Sequence, residues 1–190
     1  MRTCSWVAAT GLLICVTAAA AADKIVHDTD NGFSLTFPEE WTKEAGFGES
    51  MRLKVKSGDH GLTCRVSVNR YDPLASGSPA DPRAFMEKDW SPESWDANVG
   101  AGFDAAKFSN EKLIRFPDGY PARMADMDFR LGDSNSGFGH AKVVLSLRGD
   151  HFGLVTCGLA SDSLEQTKRM WVPLADQAER VVSSFVLDEP

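Results

Sequence analysis

Apolar and polar residues alternate with period two over several short stretches of this chain, the spacing of strands that bury one face. Phe33, Leu35 and Phe37 alternate with Ser34 and Thr36, and Pro38 ends the run. Asp30-Asn31-Gly32 ahead of it is a turn signal, so residues 24–28 are a short partner strand. Met51, Leu53 and Val55 alternate with Arg52, Lys54 and Lys56. Beyond the turn residues 57–61, Leu62, Cys64, Val66 and Val68 alternate with Thr63, Arg65, Ser67 and Asn69. A one-residue slip would turn every side chain over, so the two halves agree only when Val55 pairs with Cys64 and Leu53 with Val66. That register gathers Arg52, Lys54, Lys56 and Arg65 on the opposite face.

The Pro/Gly/Ser-rich stretch 71–81 reads as a loop. Asp81-Pro82 then starts a helix, with an acid at the N-cap and Pro at the first helical position, running to about Trp90. Residues 91–110 lack a clear period and read as a long loop anchored by Trp95, Phe103 and Phe108. A short strand over 113–116, a turn through Pro117-Asp118-Gly119-Tyr120-Pro121, and an alternating strand through Ala125, Met127, Phe129 and Leu131 follow. The clearest hairpin turns at Gly149-Asp150, pairing Leu147 with Phe152, Leu145 with Leu154 and Val143 with position 156. Its other face is mixed and holds Lys142, Ser146, Arg148, His151, Val155 and Cys157. Trp171, Leu174, Ala178, Val181, Val182 and Phe185 recur at helical spacing, with Pro173 starting a second helix or kinking the first. Val186-Leu187 forms a last strand turn. The class is α+β: about six or seven antiparallel strands with helices segregated onto the sheet faces.

The first 22 residues follow a different logic. Met1-Arg2 is followed by a short apolar run through Leu12-Leu13-Ile14 and by Ala20-Ala21-Ala22 before Asp23. A basic start, a short apolar segment and an A-x-A site are the pattern of a secretory signal peptide, with cleavage after Ala22 give or take two residues. The run is short for a membrane span, and Cys15 follows Ile14 rather than the small residue a lipoprotein needs. Residues 23–190 are then one domain of an exported protein, periplasmic or secreted, with no membrane insertion after cleavage. The 190-residue chain carries 20 Lys+Arg against 27 Asp+Glu, a net charge of -7, which disfavours nucleic-acid binding. Losing Arg2 makes the exported chain more acidic still.

Cys4 and Cys15 lie in the signal segment, leaving Cys64 and Cys157. An oxidising compartment invites a disulfide between them, and two buried free thiols are the alternative. Cys64 lies on the apolar face of its hairpin and Cys157 on the mixed face of its own. Were only one sheet face buried, the two would point apart.

Gly32-Phe33-Ser34-Leu35-Thr36-Phe37-Pro38-Glu39-Glu40-Trp41 resembles the Gly-Phe-x-Leu-x-x-Pro-x-x-Trp start of PsbP-like domains. Gly119-Tyr120-Pro121-Ala122 resembles their Gly-x-x-Ala approach to a central strand, and Val181-Val182-Ser183-Ser184-Phe185 resembles their terminal Ile-x-x-Ser-Phe. The resemblance spans nearly all of 23–190. It implies an α/β/α sandwich around an antiparallel sheet, in a superfamily of mostly accessory or binding proteins with no shared catalytic motif. Helices on both faces, as implied, would ease the geometric conflict between the two cysteines, and their state stays open.

No catalytic signature such as G-x-S-x-G, H-E-x-x-H or a P-loop is present, and His27, His60, His140 and His151 lack local metal-ligand spacing. No metal and no cofactor are expected. The stripe Arg52, Lys54, Lys56 and Arg65 is either an anion or acidic-partner surface or a solvated strand face neutralised by nearby acids such as Asp126 and Asp128. The set Trp90, Trp95, Phe103 and Phe108 either lines a loop pocket or anchors the loop to the core. The expectation is a noncatalytic accessory or binding protein of the bacterial envelope, a monomer, whose periplasmic partner is an unidentified protein or small ligand. The alternatives are a small hydrolase-type enzyme with a nonlocal site around His140 and His151, and a self-associating envelope component.

Overall fold

The computed structural model describes residues 22–45, 50–58, 61–72, 74–75, 77–100, 103–131 and 137–189. The expected signal segment, apart from Ala22, and His60 lie outside the described residues. The elements in chain order are β1 (Asp23–Asp28), β2 (Phe33–Pro38), β3 (Thr42–Ala45), β4 (Met51–Lys56) and β5 (Thr63–Arg70). Helices α1 (Pro82–Glu87) and α2 (Pro92–Asn98) follow, then β6 (Asp104–Arg115), β7 (Pro121–Arg130), β8 (Phe138–Arg148) and β9 (His151–Ser161). Helix α3 (Leu164–Trp171), a 3-10 turn (Val172–Leu174), α4 (Ala175–Ser183) and β10 (Val186–Leu187) complete the order.

Seven strands form one antiparallel sheet in the order β3-β4-β5-β9-β8-β7-β6, and β1-β2-β10 form a second, smaller sheet. The register of the β4–β5 hairpin pairs Val55 with Cys64 and Leu53 with Val66, and β8–β9 pairs Leu147 with Phe152. Both follow the apolar alternation, since any other register would expose the buried set. The tight β8–β9 turn places Gly149 at φ +58°, a conformation that glycine adopts without Cβ strain.

Each face of the large sheet has its own core. On one face, Leu53, Val55, Cys64, Val66, Val144 and Val155 pack under Phe33, Leu35 and Phe37 of β2 and under Ala178, Val181 and Val182 of α4. Ser184 ties this layer together: its hydroxyl accepts from the Thr36 amide and donates to the Thr36 carbonyl, each at 2.9 Å. The terminal Val-Val-Ser-Ser-Phe run is therefore three apolar core contacts plus one hydrogen-bonding clasp. Gly153 on β9 leaves room for Phe185 and Leu187, whose side chains lie 2.9 Å from where a Cβ would stand.

On the other face, Met86, Trp90, Trp95 and Val99 pack over Ala125, Met127, Ala141, Val143, Leu145 and Leu147. Arg123 of β7 docks α1 by donating to the carbonyls of Met86, at 2.8 Å, and Lys88, so a buried cation meets the helix C-terminus. Helices α1 and α2 pack against β6, β7 and β8. Among the described residues no helix covers the same face of β9, β5 and β4, and Phe152, Leu154, Thr156 and Thr63 stay half-buried there.

The cysteine question resolves with the strand order. β5 and β9 are neighbours, Cys64 and Cys157 are direct partners with Cα atoms 4.0 Å apart, and a disulfide joins them. The mixed face of the β8–β9 hairpin is the main core face. Its polar residues look like solvent-facing positions but are buried with partners: Ser146 donates to the Pro121 carbonyl, and Arg148 donates to the Leu187 carbonyl.

Two sequence expectations change. Residues 91–110 are not a long loop: Ser91 caps α2 ahead of Pro92, and β6 begins at Asp104 rather than near 113. Register shifts between Asp104 and Lys107 and between Ser109 and Lys112, with positive φ at Ala105 and Asn110, erase the period of two there. Helix α1 stops at Glu87, short of Trp90. The large sheet has seven antiparallel strands, within the six or seven expected, and β1-β2-β10 form a second sheet beside it.

Candidate functional site

Alternation along β5 sends Cys64, Val66 and Val68 into the main core and leaves Thr63, Arg65 and Ser67 on the face only partly covered by helices. Their partners across β9 are Gly158 for Thr63, Thr156 for Arg65 and Leu154 for Ser67. A cavity of about 160 Å³ opens on this face, where β5 begins and β7 and β9 end. Its apolar wall is Met127, Phe129 and Leu131 of β7, Ala141 of β8 and Phe103, and its polar edge is Thr63, Arg65 and Thr156. Phe103 and Phe129 stand at a 59° interplanar angle, centroids 4.9 Å apart. The Phe129 ring lies directly over Gly139, within 2.5 Å of where a Cβ would stand, so glycine there seats the ring.

The structure thus brings together one member of the basic stripe, Arg65, and one member of the aromatic set, Phe103. The rest divide. Lys54 and Lys56 stand beside Arg65's strand and share Glu44 of β3, at 2.9 and 3.0 Å. Hydrogen bonds from Lys54 and Lys56 hold the Glu44 carboxyl below its ordinary value, and donating to Glu44 holds Lys56 above its own. The neutralising acid is therefore Glu44, not Asp126 or Asp128, which belong to the opposite face. Asp126 meets Lys142 at 2.9 Å, and Asp128 meets His140 and Lys168. Arg52 leaves the stripe at a register shift between Met51 and Leu53, and its Nε donates to the Val68 carbonyl at 3.2 Å. It lines a separate, open hollow with Arg70, Asn31 and His151.

Trp90, Trp95 and Phe108 form a continuous aromatic row in the second core, Trp90 edge-on to Trp95 at 5.3 Å and Trp95 stacked on Phe108 at 5.2 Å between centroids. They anchor α2 and β6 and do not line the cavity. Thr156, Gly158, Met127 and Phe129 were not singled out from the sequence. Alternation places Met127, Phe129 and position 156 on strand faces, but only the β5–β9 adjacency unites the set.

Arg65 has no ion pair or hydrogen bond among the described residues. Beside it stand two cations, Lys54 and Lys56, that share one carboxylate, Glu44, so the three cations together leave a local excess of positive charge in an acidic chain. Neither Thr63 nor Thr156 has a side-chain hydrogen-bond partner among the described residues. An apolar recess with a few convergent polar groups on one edge is the usual form of a small-molecule site.

The histidines stand elsewhere. His140, nearly buried, meets Asp128 through Nδ1 and packs edge-on to Trp171 at 4.8 Å. Burial pushes Asp128 up, but hydrogen bonds from Lys168 and His140 outweigh it and hold the carboxyl below its ordinary value. His151 lies next to Asp150, and His27 faces Asp188 at 3.9 Å. Among the described residues no Ser, Thr or Cys side chain is hydrogen-bonded to these rings. No group of three or more His, Cys, Asp or Glu is placed to hold a metal ion among them either. No helix among the described residues is long and apolar enough to cross a membrane.

No protein-family profile and no curated protein sequence match the chain. Among solved structures it is similar to cyanobacterial PsbP (CyanoP) from Synechocystis sp. PCC 6803, with TM-score 0.56 and 15% identity over 91% of this chain and 96% of that one. It is also similar to a structure from Bacteroides thetaiotaomicron VPI-5482, with TM-score 0.50 and 11% identity over 87% of this chain and 48% of that one. A more distant likeness is to LpqN, involved in cell envelope biogenesis of Mycobacterium tuberculosis, with TM-score 0.48 and 11% identity over 88% and 91% of the two chains. The likeness to PsbP over nearly the whole of both chains gives this chain a PsbP-like fold.

Proposed function

We propose that this protein is an exported, noncatalytic accessory protein of a bacterial cell envelope that binds a small ligand on the uncovered half of its large sheet. The observation that carries the reading is the cavity where Arg65 and Phe103 meet, bounded by an apolar wall and an unpaired guanidinium. The secretory pattern of residues 1–22 and the Cys64–Cys157 disulfide, a bond that persists in oxidising compartments, support export. The likeness of fold to PsbP agrees with an accessory role, though fold alone never assigns one.

Expression of the full chain in a bacterium, followed by fractionation, N-terminal sequencing and native mass spectrometry of the recovered protein, tests this directly. The expected product is periplasmic, begins within two residues of Asp23 and retains a small molecule that a cavity-filling substitution such as Thr156→Trp displaces. Retention of residues 1–22 in the cytoplasm refutes export. A recovered chain bound only to another protein refutes small-ligand binding.

A further inference from the structure

We infer that the ligand of the Arg65 cavity is a small monocarboxylate carrying a phenyl ring or a branched apolar chain of similar size. The inference rests on the binding role proposed above and names the chemistry that would fill it. Three observations define that chemistry.

Size is the first. A cavity of about 150 Å³ lined by apolar side chains holds a benzene ring, and this cavity measures about 160 Å³. A single ring or a short branched chain fills it, whereas a nucleotide, a sugar chain or a long acyl chain would extend out of it along the open sheet. The second is the wall. Phe103, Phe129 and Met127 contribute two rings and a thioether to the wall, which favour an aromatic guest. A fully polar guest would lose water contacts here without replacement.

Charge is the third. A carboxylate is matched bidentately by a guanidinium, and Arg65 is the one cation among the described residues of the cavity lining. Lys54 and Lys56 are already engaged with Glu44, so they raise the local potential without competing for the contact. Thr156 lies directly across from Arg65, and Thr63 lies two residues before it on the same strand face, so both hydroxyls stand on the guanidinium's edge of the cavity. A carboxylate has two oxygens and about four lone-pair sites, enough to accept from the guanidinium and a hydroxyl together.

Titration of the exported protein with sodium benzoate and with phenylacetate, followed by amide NMR and calorimetry, tests this, with benzyl alcohol as the uncharged control. The expected result is saturable binding of both carboxylates, with shifts centred on Thr63, Thr156, Gly158 and Phe129. Benzyl alcohol should bind about tenfold more weakly, as loss of one charge-assisted contact implies. Arg65→Ala should reduce carboxylate affinity to that of the alcohol and leave the alcohol unchanged. Arg65→Lys should fall between, because it keeps the charge but loses the fork. Thr156→Val, close in shape, should weaken benzoate alone. Arg65 is exposed, so its variants should fold, and an unchanged thermal transition confirms it. Equal binding of acid and alcohol, or an unaltered benzoate affinity in Arg65→Ala, overturns the inference. So does the lack of saturation by about 10 mM, the weak end of small-ligand affinity. Should these fail while native mass spectrometry still finds a retained small molecule, the ligand class is wrong and the binding role stands.

Discussion

The Cys64–Cys157 bond closes a loop spanning 93 residues, and both side chains are fully buried in the main core. Breaking it releases the unfolded chain from that constraint. On the chain-entropy account a loop of this length corresponds to about 4.6 kcal/mol at 25 °C. Residual structure in the unfolded chain reduces the observed value, so the expected loss is about 2–4 kcal/mol. Against a typical domain stability of about 5–15 kcal/mol, that is a large fraction of the whole.

Two perturbations bracket the effect. Wild-type protein unfolded and refolded in reductant keeps both sulfurs and loses only the link. The C64A/C157A double variant also leaves a small void, so it should be the less stable of the two. Urea unfolding by fluorescence and circular dichroism gives the free energies, provided the two probes coincide. Loss of the cross-link should also raise the denaturant slope, because the unlinked chain exposes more surface when it unfolds. A difference below about 1 kcal/mol between oxidised and reduced protein, with the fold intact, refutes the entropic argument. Two reactive thiols in exported protein denatured without reductant would show that the bond itself is not formed.

Asp128→Asn should reduce stability at neutral pH by about 1 kcal/mol, the scale of a hydrogen-bonded carboxylate contact, and flatten the acid limb of the melting profile. The sign follows from the lowered Asp128 pKa: the contribution is full above the ordinary carboxylate value of 3.8 and fades as pH falls through the folded value. A wild-type melting temperature that rises on acidification below pH 4 contradicts it. Trp95→Ala removes a fully buried ring that stacks on Phe108 and meets Trp90, and should cost about 3–5 kcal/mol by urea unfolding. Gly139→Ala drives a methyl into the Phe129 ring and should cost about 1–3 kcal/mol, with much of the loss restored by adding Phe129→Ala.

What could be read from the chain before folding was local. The two hairpins whose turns are short and whose apolar faces must match came out in the right register, because one slip would invert every side chain. The start of α1 was visible in Asp81-Pro82, and the terminal helices and Pro173 break were visible in their spacing. Helix α2 carries the same kind of cap, Ser91 before Pro92, but it is seven residues long and offers Trp95 as its one fully buried ring. Strand β6 disappeared from the alternation because its irregularities insert residues that face the wrong way. Strand adjacency was beyond reach for a different reason. β5 and β9 are separated by two helices and three strands, and nothing in a period of two says which strands lie side by side. The disulfide and the cavity both depend on that one long-range pairing. Arg65 and Phe103 were legible as candidates, and their meeting was not.

The two faces of the large sheet explain why a site arises where it does. The main face is closed by β2, α4 and a clasp at Ser184, and its polar residues are held by partners: Lys142 by Asp126 and Glu179, Arg148 by Asp118 and the Leu187 carbonyl. That face has little left to offer a ligand. The second face is covered by α1 and α2, six and seven residues long, which reach only across β6, β7 and β8. Beyond their reach the sheet must end its apolar surface or leave it open. β5 ends it with Thr63, Arg65 and Ser67, while Phe129 and Met127 still present apolar surface from β7. At the cavity, the apolar side chains of β7 thus meet the polar and cationic side chains of β5. An amphipathic anion is the guest that such a boundary selects, since either half of the surface alone would favour a different one.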